Sequence, residues 1–169
     1  MSGSGSDPEV EKFEGTDAGA SLTYPLSAGS IKKGSFMVFD NDKPCKVVDY
    51  KTAKTGKHGA AKAMITGIDI FTGRKYETTT STGHNVLVPN ISRSQYTVIT
   101  VDETGYLTLM NAQGETRQDL KLPDDTEEDQ KLADRMKEAL DAGKEISVTV
   151  MSAMNTEKVV EMSENVEGK

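Results

Sequence analysis

Apolar residues in this chain recur with a period of two inside short segments, turn signals separate those segments, and the period becomes helical only once. Alternation of this kind specifies half-buried strands, so the chain is expected to be mostly β. Ser35 to Asp40, Cys45 to Lys51, Ala61 to Phe71, Lys75 to Ser81 and Val86 to Val88 read as strands, with turns at Asn41-Asp-Lys-Pro44 and Thr72-Gly73. Short strands this closely spaced suggest a small SH3-like barrel. Pro89-Asn-Ile-Ser reads as a hinge, because proline interrupts strand pairing. A second series follows, with strands at Tyr96 to Asp102, Tyr106 to Met110 and Glu115 to Leu122. Then Asp124-Asp-Thr-Glu-Glu-Asp supplies an N-cap and an acidic first turn, Leu132, Met136, Ala139 and Leu140 form a helical stripe, and Gly143 closes it. Ile146 to Val150 and Lys158 to Met162 complete the series. Five strands with one α-helix inserted before the last pair predict an OB-fold barrel.

Three segments result: a disordered acidic tail over 1–20, an SH3-like barrel over 21–89, and an OB-fold domain over 90–169 ending in a short tail. The first segment carries Asp7, Glu9, Glu11, Glu14 and Asp17 against Lys12 and has almost nothing apolar to offset the entropy of ordering. Hydrophobic residues make up 35% of the chain and aromatics 5%, without tryptophan, which suits two modest aliphatic cores. No apolar run approaches the roughly 20 residues that span a bilayer, and no signal peptide is recognisable, so no membrane association is expected. Cys45 is the single cysteine, so an intrachain disulfide and a cysteine-rich zinc site are both excluded. A cytoplasmic location, with the nucleus as a further compartment, fits.

The net charge is −7, yet its distribution is uneven. Between Lys51 and Tyr76 the ionised residues are Lys51, Lys54, Lys57, Lys62, Arg74 and Lys75 against Asp69 alone, whereas from Thr100 onward acids outnumber bases about two to one. A cationic patch on an acidic body engages phosphate at one place and repels it elsewhere. For an arbitrary lysine cluster a solvated surface face is the ordinary reading. Here Lys57 stands between Gly56 and Gly59, glycines that permit a compact turn, and the flanking strands make it the expected tip of a long hairpin.

The chemistry open to that lysine is limited. A phosphate-binding loop needs Gly, four residues and Gly-Lys-Ser/Thr, but Lys51 and His58 occupy the first glycine and the hydroxyl positions. His58, His84 and Cys45 have no zinc-ligand spacing, and no nucleophile elbow or Cys/His pairing occurs, so neither metal nor catalytic residues are expected. Single-stranded nucleic acid would require aromatic platforms in a basic groove. The second half offers Tyr96 and Tyr106, both expected to pack into the barrel. A general RNA-binding module of two barrels stays open as the alternative function.

Lys54-Thr-Gly-Lys57-His-Gly59, Gly67-Ile-Asp-Ile-Phe-Thr-Gly73 and Val88-Pro-Asn-Ile91 closely resemble the eukaryotic translation initiation factor 5A family. Asp17-Ala-Gly-Ala-Ser21, Pro44-Cys-Lys46, Asp119-Leu-Lys-Leu-Pro123 and Val150-Met-Ser-Ala-Met154 extend the likeness over most of the chain. Ala60 and the segment Thr78 to Gly83, with an extra glycine, depart from the usual pattern. The resemblance implies a noncatalytic factor whose Lys57 is converted to hypusine by deoxyhypusine synthase, using spermidine, and then by deoxyhypusine hydroxylase; it implies no other cofactor. It further implies binding at the ribosomal large subunit near the E site, contact with the P-site tRNA, relief of stalls at proline-rich sequences, and help in termination. Lys54 and Lys62 would add charge, Thr55, Gly56 and Gly59 would shape the loop, and His58 would help position its tip.

Overall fold

The structure, a computed structural model, describes residues 22–54 and 61–165. The chain divides into two compact units. Unit 1 runs to Ile70 and resumes over Arg74–Asn90; unit 2 comprises Phe71–Gly73 and Ile91 onward.

Unit 1 holds β1 (Thr23–Ser27), a 3-10 turn (Ala28–Ser30), β2 (Phe36–Phe39), β3 (Lys43–Lys54), β4 (Ala61–Asp69), β5 (Lys75–Ser81) and β6 (Asn85–Pro89). The strands β2-β3-β4-β5 form one antiparallel sheet, and β1 pairs with β6 in a second. This is the expected curled, SH3-like arrangement. Three details differ from the sequence reading, the first being that Pro89, expected to interrupt pairing, ends β6 opposite Thr23. β1 was not anticipated, because Pro25 weakens its strand signal and its partner β6 is distant in the chain. Pro44 belongs to β3 rather than to the preceding turn. That turn is carried by Asp40 (φ 49°) and Asn41 (φ 71°), the positive angles of a type I′ hairpin. Its Asp42 amide donates to the Phe39 carbonyl at 3.2 Å.

The core of unit 1 gathers Ile31, Met37, Phe39, Cys45, Val47, Ala63, Ile65 and Val88. Tyr50 reaches its edge and donates its hydroxyl to the Ala28 carbonyl at 2.8 Å, so the ring is packed and its polar end satisfied. Cys45 is fully buried, and burial, reinforced by the Asp69 and Asp40 carboxylates, pushes its thiol up to about 12. Only the thiolate is a good nucleophile, so the native protein at pH 8 is expected to resist alkylation by iodoacetamide, and denaturation to restore a normal rate. Rapid labelling of the native protein, followed by mass spectrometry, would contradict this packing.

Unit 2 contains β7 (Ser92–Val101), β8 (Tyr106–Met110), β9 (Thr116–Lys121), α1 (Glu127–Asp141), β10 (Ile146–Ala153) and β11 (Thr156–Glu164). The sheet order is β11-β10-β7-β8-β9, all pairs antiparallel, with the helix inserted before the final hairpin, as an OB fold requires. Leu107, Leu109, Ile146, Val148, Val150 and Val159 meet the helix residues Leu132, Met136 and Ala139 in one core.

The helix termini follow from local chemistry. Thr126 accepts from the Asp129 amide at 3.0 Å while the Asp129 carboxylate accepts from the Thr126 amide, a reciprocal capping box. At the other end Gly143 (φ 78°) donates to Leu140 and Lys144 donates to Ala139, the Schellman pair of hydrogen bonds. The hairpin tips on either side of β8 share one device: Asp102 and Asn111 each turn a side-chain oxygen onto backbone amides two and four residues ahead. Across the ends of the sheet, Arg117 on β9 bonds Glu157 on β11 at 2.6 Å, joining the two edge strands. The same guanidinium grips Asp119 at 2.7 Å and lies 5.6 Å from the Tyr96 ring centroid, and its bond holds the Asp119 carboxyl below the usual range.

Among the described residues, no helix is long and apolar enough to cross a membrane.

Candidate functional site

The hairpin β3–β4 is the longest in unit 1. Its ladder runs from Cys45↔Asp69 to Lys54↔Ala61, and one irregularity between Val47 and Asp49 leaves Val48 unpaired and exposed. Residues 55–60 join the directly opposed ends Lys54 and Ala61. The expected site residues Thr55, Gly56, Lys57, His58 and Gly59, and Ala60 beside them, lie outside the described residues.

The arms of the hairpin are described fully. Ala63 and Ile65 alternate inward and are fully or nearly fully buried, which fixes which residues of β4 face out. Lys62 and Met64 take the outer face. Their cross-strand partners are Ala53 and Lys51 on β3, and Ser81 and Thr79 on β5. Lys51 and Lys62 therefore share the outer face. Lys54, opposite Ala61, falls on the other side of the ribbon, because directly paired residues share a face and successive residues alternate. The expected supporting charges Lys54 and Lys62 thus flank the hairpin end from two sides instead of forming a single patch.

Their electrostatic situations also differ from those of the lysines farther down. Lys51 lies 3.8 Å from Asp49, and Lys75 lies 3.7 Å from Glu77. Lys54 and Lys62 make no such pair among the described residues. The cation nearest a carboxylate is partly neutralised, so the field at the hairpin end is set by the lysines closest to it.

Sequence reasoning missed the supports of this hairpin. The Thr82 amide donates to the Ala61 carbonyl at 3.0 Å, and the Thr82 carbonyl accepts from Gly29 at 2.9 Å. Ala28 donates to the His84 carbonyl at 2.8 Å. The segment Thr78 to Gly83, singled out above as unusual, therefore holds the first residue of β4 beside the 3-10 turn. No periodicity could reveal contacts between stretches so far apart in sequence; the Gly29 position carries the one local trace, since a Cβ there would sit 3.3 Å from Thr82.

The remaining candidates for chemistry are dispersed. The His84 ring lies 3.5 Å from the Thr80 hydroxyl, and Cys45 is enclosed in the core. Among the described residues, no group of three or more His, Cys, Asp or Glu side chains is placed to hold a metal ion. Tyr96 packs against the barrel core as expected, but Tyr106 does not: it is 41% exposed, with the Lys121 ammonium 5.4 Å from its ring centroid. Leu107 and Leu109 occupy the inward positions of β8, and alternation sends Tyr106 outward.

Two family models match the chain. Residues 21–84 match "Translation initiation factor 5A-like, N-terminal", and residues 90–162 match "Eukaryotic elongation factor 5A hypusine, DNA-binding OB fold". Eukaryotic translation initiation factor 5A-1 of Arabidopsis thaliana is 46% identical over 89% of this chain and 92% of its own length. Eukaryotic translation initiation factor 5A-2 of Saccharomyces cerevisiae is 44% identical over 92% of this chain and 95% of its own. A solved structure, the translation initiation factor eif-5a family protein from Naegleria fowleri, superposes with a TM-score of 0.79 at 55% identity, covering 85% of this chain and 99% of that one.

Proposed function

Because this chain belongs to the eukaryotic translation factor 5A family, we propose that it serves translation as a noncatalytic factor acting through hypusinated Lys57. In this reading the protein is the substrate of deoxyhypusine synthase and deoxyhypusine hydroxylase, and spermidine supplies the aminobutyl group. The modified factor binds the large ribosomal subunit near the E site. Its lengthened lysine stabilises the P-site tRNA, promotes peptide-bond formation at proline-rich stalls and assists termination. The cytoplasm is the site of action, with the nucleus as a second compartment.

The observation that carries the reading is the placement of Lys57 in sequence between two opposed strand ends, on a hairpin whose inward residues are anchored in the core of unit 1. A side chain at such a position can enter a narrow cavity while the body stays outside. Lengthening it adds a second amine without losing charge, and each charge-assisted hydrogen bond to a phosphate or ribose is worth about 1.5–3 kcal/mol. Lys54 and Lys62, on either side of the hairpin, would steer the anionic tRNA, and Thr55, Gly56, His58 and Gly59 would set the shape of the tip.

The test is synthesis of a proline-rich peptide on ribosomes supplied with modified protein, unmodified protein, or Lys57→Arg. Arginine keeps the charge but cannot accept the aminobutyl group. Loss of one charge-assisted bond predicts that both unmodified forms fall about tenfold or more below the modified one in rate. Equal rescue by all three would refute the proposal.

A further inference from the structure

Tyr50 owes its inward position to the irregularity in β3. Val47 is buried in the core of unit 1, so strict alternation would turn residue 50 outward. Val48 is the extra residue, since Val47 pairs with Gly67 and Asp49 with Thr66, adjacent positions of β4. Beyond it the parity is reversed, and Tyr50 sits opposite Ile65 on the buried face. The reversal aims its hydroxyl at the Ala28 carbonyl, 2.8 Å away.

From Ala28 a run of backbone hydrogen bonds leads back to the hairpin. Gly29 donates to Thr82 at 2.9 Å, Thr82 donates to Ala61 at 3.0 Å, and Ala61 is the ladder partner of Lys54 on β3. The circuit closes through β3, which carries both Lys54 and Tyr50. The Ala28 amide bonds the His84 carbonyl, a second tie between the 3-10 turn and the segment that holds Ala61. The other hydrogen bonds of this circuit join backbone groups, which any residue but proline supplies in full. The Tyr50 hydroxyl is therefore the link that a single side-chain atom controls. Its removal orphans nothing, because the Ala28 carbonyl also accepts from Ile31 at 3.2 Å.

We propose that Tyr50 is a positioning residue for the modification of Lys57: its hydroxyl closes the circuit and so fixes Lys54 and Ala61, the strand ends between which Lys57 stands in sequence. The inference rests on the hypusination reading above. In the net transfer the Lys57 Nζ gains a bond to the aminobutyl carbon, and the bond from that carbon to the secondary nitrogen of spermidine breaks. One proton passes from Nζ to the departing diaminopropane. Tyr50 takes no part in that exchange and acts through the backbone. Strand ends held in one arrangement are competent for the enzyme at every encounter, whereas ends that sample several bind only in proportion to the competent fraction.

The experiment uses the full unmodified chain as the substrate of purified deoxyhypusine synthase with spermidine, the product being measured by mass spectrometry across Lys57. Tyr50→Phe keeps the ring and removes the bond. Loss of one neutral hydrogen bond predicts that the Gly29 and Thr82 amides exchange about fivefold faster. The KM for the protein substrate should rise about fivefold with kcat unchanged. Val88→Ala removes methyl groups from the same core outside the circuit, and should lower the urea midpoint while leaving KM as in the unsubstituted chain. Unchanged amide exchange, an unchanged KM, a fall in kcat alone, or an equal rise in KM for Val88→Ala would overturn the inference, the last by showing a general loosening of unit 1. Failure of the unsubstituted chain to be modified at all would refute the hypusination reading, and this inference with it. Modification at one KM for both the unsubstituted chain and Tyr50→Phe would refute the inference alone.

Discussion

Gly67→Ala is expected to destabilise unit 1 by about 2 kcal/mol, because the centre of its sheet has no room for a methyl group. Gly67 lies in β4, paired with Val47 on one side and Tyr76 on the other. A Cβ there would stand 2.6 Å from Cε1 and 2.9 Å from Cζ of Phe39, and 2.9 Å from the Cβ of Cys45. The Cys45 atom is fixed to the backbone of β3, so it cannot swing aside. The Phe39 ring is 2% exposed and lies 6.4 Å, centroid to centroid, from Tyr76. Relief therefore requires a displaced ring or a shifted strand, costing about 1–3 kcal/mol, against at most about 1 kcal/mol gained by restricting the unfolded chain. Gly83→Ala provides the control, since nothing lies within 4 Å of its Cβ position and its φ is not positive. Urea unfolding followed by amide exchange in β3 to β5 should show a lowered midpoint for Gly67→Ala and little change for Gly83→Ala. Equal midpoints would mean that the ring can yield freely.

That glycine illustrates what the sequence could and could not disclose. Gly67 is visible as part of a motif, but its reason is a ring from β2, and no local pattern points to it. Two strands were readable to their ends, Lys75 to Ser81 from its threonine content and Tyr106 to Met110 from its alternation. The helical stripe and its closing glycine were equally plain, because capping and periodicity are local. β1 was missed, and the irregularities at Val48 and Ile99 interrupt alternation without leaving a composition signal of their own. Tyr106 was a different kind of error. Its aromatic character suggested burial, yet its parity with respect to Leu107 and Leu109 already placed it outside, and the alternation was the stronger argument. At the candidate site, the lysines and glycines of the hairpin were legible as residue types, whereas the division of Lys54 and Lys62 between two faces depends on a register set by pairing.

Lys158→Met should cost unit 2 about 3 kcal/mol, the lower part of the range for breaking a buried ion pair. The Lys158 side chain on β11 is 10% exposed, as is that of Asp129, and the two meet at 2.6 Å. The ammonium also lies 3.7 Å from Asp125 and donates to the carbonyl of Phe71, a residue of the same unit. Methionine preserves most of the apolar stem but leaves the Asp129 charge without its cation. The amides of Asp125 and Thr126 still donate to that carboxylate, and the helix N-terminus favours it, which is why the cost stays near the lower bound. A double-mutant cycle with Asp129→Asn separates charge from packing, because asparagine retains an oxygen for the cap while removing the ionic partner. Lys158→Met should cost only about 1 kcal/mol in that background, giving a coupling near 2 kcal/mol in urea denaturation. An equal cost in both backgrounds would assign the stabilisation to the lysine stem and its bond to Phe71, and would leave the helix cap indifferent to the strand that packs beside it.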